Sequence, residues 1–131
     1  MNTLHEPPQK TILIVDDEYD ILMSLELLFS MEGFKVLLTY NGKQAIESLQ
    51  STPYPDVILS DIMMPELDGY ELLKAVKANP KWDKIPFILT SAAPLNQARM
   101  KETCLVPFVS KPFDIFQLLS TIEEAMKAAH S

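Results

Sequence analysis

Residues 11–18 read TILIVDDE: a compact apolar run rich in β-branched residues, closed by two aspartates. Such a run, Thr11 to Val15, is too short for a helix and has the composition of a buried strand. Working forward, Ile21, Leu22, Leu25, Leu28 and Phe29 fall at i, i+1, i+4, i+7 and i+8, the stripe of an amphipathic helix. Gly33 ends that helix, and Phe34 to Leu38 resumes a strand. A strand, a helix and a second strand within 30-odd residues form a βαβ unit, and the aspartates stand where its first strand ends.

The rest of the chain repeats the alternation. Asn41-Gly42 opens a second helix with Ala45, Ile46 and Leu49 inward, and Pro53 and Pro55 confine residues 51–55 to a loop. Val57 to Leu59 reads as a third strand. A third helix carries Leu72, Leu73 and Val76 and stops before Pro80. Phe87 to Leu89 is a fourth strand, a short weak helix is predicted over 94–103, and Val106 to Val109 is a fifth strand. The last helix is the clearest, with Ile115, Leu118, Leu119, Ile122, Met126 and Ala129 on one face. Five strands alternating with five helices predict an α/β protein, a doubly wound three-layer sandwich on a parallel sheet. The continuous apolar strands agree, since strands covered on both faces need no alternation. Periodicity leaves the strand order open.

At 131 residues the chain has the size of one domain, and 47% hydrophobic with 22% charged residues is ordinary globular composition. A net charge of −7 disfavours direct binding to nucleic acid, which needs clustered Lys and Arg. A single cysteine, Cys104, allows no intrachain disulfide and suits a reducing compartment. No apolar run is long enough to span a membrane, and residues 1–10 carry two prolines and no apolar signal core. The expected organisation is a disordered arm over 1–9, one domain over 10–128 and a frayed end over 129–131, in the cytoplasm. Almost nothing follows the last helix, so no output domain is expected within this sequence. The chain is either a stand-alone protein or a piece of a longer one.

In an open parallel sheet the carboxyl ends of the strands form one rim, where ligands bind at the point of reversed strand order. Here strand one is followed by Asp16 and Asp17, strand three by Asp61, strand four by Thr90 and Ser91, and strand five by Ser110 and Lys111. Three carboxylates, a hydroxyl and an ammonium can meet there. Crowded carboxylates raise one another's pKa, and a hard divalent cation such as Mg²⁺ relieves the repulsion. An Asp so neutralised can act as a nucleophile toward a phosphoryl group, with the lysine and hydroxyl binding the phosphoryl oxygens.

Four segments, Ile12–Glu18, Asp61–Gly69, Ile85–Ala92 and Val109–Phe113, together resemble the receiver domains of two-component response regulators. They occur in that family's order, and the likeness covers roughly residues 10–128. The resemblance implies a flavodoxin-like sheet of order 2-1-3-4-5. It implies Asp61 as phosphoacceptor, and a Mg²⁺ site (Mn²⁺ is an alternative) built from Asp16, Asp17, Asp61 and the backbone carbonyl of Met63. It further implies Ser91 as the switch hydroxyl, Lys111 as its partner at the phosphoryl group, Phe108 as the coupled aromatic, and a cis Lys111–Pro112 bond. The implied partners are a sensor histidine kinase or histidine phosphotransfer protein, a downstream protein target and, as a further option, a second copy of the chain. Where relatives often carry Gly-Ala before strand five this chain has Cys104-Leu105, and the stretch from Ala92 to Lys111 is a residue or two short. Both departures fall on the face that receivers use for output.

Each residue alone has a plainer reading. Asp17 could cap the first helix, Asp61 could serve a turn, and Asp68-Gly69 reads as turn and first-turn helix. Ser91 could be a helix cap, Lys111 a solvated loop lysine, and Phe108 a core strand residue. The methionines read as packing, and His5 and His130 lie in the expected frayed ends. Two other functions compete. An aspartyl-phosphate phosphotransferase of the haloacid-dehalogenase type carries a second Asp two residues after the nucleophile, where this chain has Met63. An interaction domain acting without phosphorylation would not need Asp16, Asp17, Asp61, Ser91 and Lys111 together. The expected protein is therefore no enzyme beyond catalysing its own phosphorylation and dephosphorylation.

Overall fold

The computed structural model describes residues 9–94, 96, 98–99 and 106–129. The predicted terminal arms other than residues 9 and 129, His5, His130 and the Cys104-Leu105 departure lie outside the described residues. So does most of the helix predicted over 94–103, of which Ala98 and Arg99 are helical. Ala129, expected to be frayed, is the last residue of the final helix.

Five strands, β1 (Thr11–Val15), β2 (Lys35–Thr39), β3 (Val57–Asp61), β4 (Phe87–Ser91) and β5 (Phe108–Ser110), form one parallel sheet. Its order is β2-β1-β3-β4-β5, as the resemblance implies. Between and after them run α1 (Tyr19–Met31), α2 (Gly42–Leu49), α3 (Gly69–Ala78) and α4 (Ile115–Ala129). Strand residues alternate between two cores. Leu13, Val15, Ile58, Phe87 and Leu89 pack toward α2 and α3, whereas Ile12, Ile14, Val57, Leu59 and Ile88 pack toward α1 and α4. The sandwich is three layers deep because both faces of these strands are apolar and both must be covered.

The elements begin and end for local reasons. Gly33, at φ 91°, turns the chain out of α1, a conformation that a Cβ would penalise. Asn41 caps α2 by accepting the Gln44 N–H at 2.8 Å. Asp68 and Glu71 form a capping box at α3, so the Asp68-Gly69 turn reading holds. Two strands run further than their apolar letters predict: β3 ends on Asp61 and β4 on Ser91, rather than before them. Main-chain pairing causes the extension, since Asp61 pairs with Thr90 and Ser91 with Ser110 in the ladder. Strand five begins at Phe108 instead of Val106. The Lys111–Pro112 bond is cis, as expected.

Candidate functional site

Chain order reverses beside β1, which has β2 on one side and β3 on the other. The crevice therefore opens at the carboxyl ends of β1 and β3. Asp61, the last residue of β3, and Asp16, one step beyond β1, lie there side by side and are 3% and 1% exposed. Asp16 is held on both sides: its N–H donates to the Thr39 carbonyl at 3.1 Å, and its Oδ1 accepts the Glu18 N–H at 2.9 Å. Ser91, also buried, ends β4 and accepts the Ala93 N–H on its Oγ at 3.0 Å. That contact closes a local turn after β4 and caps no helix among the described residues.

Lys111 crosses from the end of β5 and is no solvated loop lysine, its side chain being 8% exposed. Its Nζ lies 2.8 Å from Asp16 Oδ2, 3.2 Å from Glu18 Oε1 and 3.4 Å from Asp61 Oδ2. One ammonium thus faces three carboxylates. Burial pulls the lysine down, but the bond to Asp16 and the charges of Asp16 and Asp61 outweigh it and hold its pKa above the usual value. Asp16 is raised, first by burial, although Lys111 and the Glu18 N–H oppose the rise. Asp61 is raised from 3.8 to about 6, first by burial and then by the charge of Asp16, against the pull of Lys111 and a backbone hydrogen bond from Met63. The carboxylate crowding expected from sequence is present at Asp61 but second to loss of solvent.

Carboxylate oxygens of Asp16, Asp17, Glu18 and Asp61 all come within 4.8 Å of one another, the two outer residues, Asp17 and Glu18, being exposed. Oxygen-only donors at this spacing fit a hard divalent cation, and water could complete its shell from the exposed side. Asp17 does not cap α1. The N-cap position belongs to Glu18, which makes no side-chain capping bond. Phe108, at the start of β5, is half-buried against the core on the α2–α3 side, while the Met63 side chain points to solvent. Sequence reading gave Glu18 no role, although it stands in the quoted motif. Its place two residues after Asp16 was the available signal. Reading Asp68 as a turn residue also missed its ion pair with Arg99, at 2.6 Å, which no spacing rule relates.

Gly69 explains how β3 holds its carboxylate still. Its N–H donates to the Ile62 carbonyl at 2.9 Å, and a Cβ placed on it would come within 2.7 Å of the Ile62 Cα. The first turn of α3 therefore packs directly on the backbone that carries Asp61. A groove elsewhere, between the ends of α2 and α3 and lined by Leu49, Tyr54, Ala78 and Trp82, has no carboxylate in its lining. The chemistry belongs at the rim.

Fold and rim define the class: a doubly wound α/β protein with an acidic pocket, crossed by one lysine, at its switch point. The model of the response regulator receiver domain matches residues 12–123, and the chain belongs to that family. It is 34% identical over 122 residues to the response regulator GtcR of Aneurinibacillus migulanus, covering 92% of this chain and 49% of the relative. To the response regulator SaeR of Staphylococcus aureus it is 38% identical over 117 residues, covering 88% and 50%. The chain thus spans about half the length of these curated relatives. Among solved structures, the receiver domain of a signal transduction histidine kinase from Syntrophus aciditrophicus superposes with a TM-score of 0.83 at 30% identity, covering 91% of each chain. The chemotaxis protein CheY4 of Vibrio cholerae gives 0.82 at 25% identity, covering 90% of this chain and 99% of that one. The acidic cluster of Asp16, Asp17, Glu18 and Asp61 fits the phosphorylation site of such a domain. No helix among the described residues is long and apolar enough to cross a membrane.

Proposed function

We propose that residues 10–128 form a phosphoacceptor signalling unit in which Asp61 takes a phosphoryl group from a phosphohistidine. One observation carries the reading: Asp61 is buried at the switch point between a second acid and Lys111 of the rim. A carboxylate oxygen of Asp61 attacks phosphorus, the O–P bond forms as the N–P bond breaks, and the leaving imidazole takes up a proton. Asp16, Asp17, Asp61 and the Met63 carbonyl would hold Mg²⁺, or Mn²⁺ in its place. When bound, the cation neutralises the charge that builds on the phosphoryl oxygens. Lys111 is poised to exchange its bond to Asp16 for one to the phosphoryl group, and Ser91 to exchange Ala93 for the same target. Phe108, half-buried on β5 beside β4, follows Ser91.

The donor would be a sensor histidine kinase or histidine phosphotransfer protein, and the reader a protein target in the cytoplasm or a second copy of the chain. Exposed large apolar side chains support protein docking: Tyr19 and Met63 stand within a few residues of Asp16 and Asp61, and Ile115 and Phe116 open the last helix. Apart from its own phosphorylation and dephosphorylation, no turnover is proposed.

The test is incubation with Mg²⁺ and a small phosphoramidate or acyl phosphate, read by intact mass for wild type and Asp61→Asn. The expected result is one base-labile phosphoryl group on wild type, dependent on Mg²⁺, and none on the variant. Equal labelling of both, or of neither, ends the phosphoacceptor reading.

A further inference from the structure

The first turn of α3 carries a cluster that the proposed phosphoryl chemistry does not use. Arg99 forks onto the Asp68 carboxylate, Nη1 to Oδ2 at 2.6 Å and Nη2 to Oδ1 at 3.2 Å. The same guanidinium lies 4.7 Å from the centroid of the Tyr70 ring. The Tyr70 hydroxyl accepts the Asn96 N–H at 2.7 Å, and Asn96 Oδ1 accepts the Arg99 N–H at 3.2 Å. Tyr70 is buried in the core and Asp68 is already fixed as the α3 cap, so both anchors are rigid before Arg99 arrives. A planar fork on a fixed carboxylate, stacked on a fixed ring, loses less entropy than an ordinary surface pair.

Position gives this contact its meaning. Asn96 and Arg99 follow Ser91 by five and eight residues, on the segment that leaves β4. Asp68 and Tyr70 flank Gly69, whose backbone packs on Ile62, next to Asp61. One anchor point therefore sits on the frame of Asp61 and the other on the segment behind the Ser91 hydroxyl.

We propose that Asp68, Tyr70, Asn96 and Arg99 form a latch that ties Asn96 and Arg99 to the first turn of α3 and opposes the switch. The opposing role rests on the phosphoacceptor reading above, because it is the move of Ser91 toward Asp61 that would pull on this segment. Coupling is reciprocal: if loading Asp61 strains the latch, weakening the latch must favour loading.

The test uses the full chain, isotope-labelled, with substitutions that leave the rim intact. Arg99→Gln removes the fork and most of the ring contact, Arg99→Lys keeps the charge alone, and Tyr70→Phe removes only the hydroxyl acceptor. Asp68 is spared because it caps α3. In the unphosphorylated protein, amide exchange at Asn96 should quicken about fivefold in Arg99→Gln and in Tyr70→Phe, and less in Arg99→Lys. With Mg²⁺ and beryllofluoride as the phosphoryl mimic, Arg99→Gln should bind the mimic about twofold to fivefold more tightly than wild type. Unchanged exchange at Asn96 in a folded Arg99→Gln overturns the latch. Faster exchange with unchanged or weaker beryllofluoride affinity overturns its opposition to the switch, leaving a tie within the fold. Failure of wild type itself to bind the mimic is a different result, which ends the phosphoacceptor reading and the opposing role with it.

Discussion

The central and the outer halves of the sheet are built to different standards. At the centre, β3 is buried along its whole length, and β1 at every residue but Thr11; β3 ends on Asp61, and Asp16 directly follows β1. At the outer edge, β5 has three residues, of which Val109 alone is buried, and pairs over three positions with β4. Asp61 and Asp16 stand on the stiff half, whereas Phe108 and Lys111 stand on the lightly held one. The difference teaches a division of labour. On the proposed function, the acids that keep a fixed geometry would stand where packing has no slack, and Phe108 and Lys111 where little packing is lost by moving. Ser91, buried at the end of β4, would change only its hydroxyl's partner.

The contrast can be broken at its centre with the largest effect. Ile58→Ala removes a fully buried side chain from β3 and should cost about 3–4 kcal/mol in urea unfolding. Gly69→Ala should cost roughly 2–3 kcal/mol, because the new methyl meets backbone rather than a flexible side chain. It should also weaken Mg²⁺ binding, read by a Mg²⁺ titration of the Tm, since the displaced atoms adjoin Asp61.

Electrostatics offers a way to sharpen it. With its pKa raised from 3.8 to about 6, Asp61 binds a proton in the native protein that the unfolded chain has released. In metal-free protein this contribution is whole below pH ~4 and is lost as pH rises through about 6. The loss, on the order of 2–3 kcal/mol between pH ~4 and ~7, should be absent in Asp61→Asn, so subtracting the two unfolding curves isolates it. Mg²⁺ should restore wild-type stability near neutral pH, by about 2.7 kcal/mol at a hundred times its Kd, and should do little for the variant. A wild-type profile parallel to that of Asp61→Asn would mean that burial does not control this acid.

The smallest effect belongs to the edge. Phe108→Leu should cost about 1 kcal/mol or less, because a half-buried ring on a three-residue strand gives up little. A cost near that of Ile58→Ala would erase the distinction between the halves.

Much of this was legible in the letters. Thr11–Val15 and the helical stripe from Ile21 to Phe29 announce a βαβ unit, because periodicity and composition are local properties. That polar residues follow four apolar runs is equally local, and it placed Asp16, Asp17, Asp61, Ser91 and Lys111 on one rim. Strand ends were less legible, since β3 and β4 are carried onto Asp61 and Ser91 by ladder bonds to neighbouring strands.

What the chain determined by itself, then, is the alternation of its elements and the rim on which its chemistry lies. Tertiary structure alone decided that Lys111 is buried against Asp16, Glu18 and Asp61, and that Asp61 is lifted more by lost solvent than by its neighbours. It alone brought Arg99 onto Asp68 and Tyr70, 31 residues from its carboxylate partner. Distance and solvent exposure are set by how layers pack, and residues far apart in sequence carry no local sign that they will share a pocket.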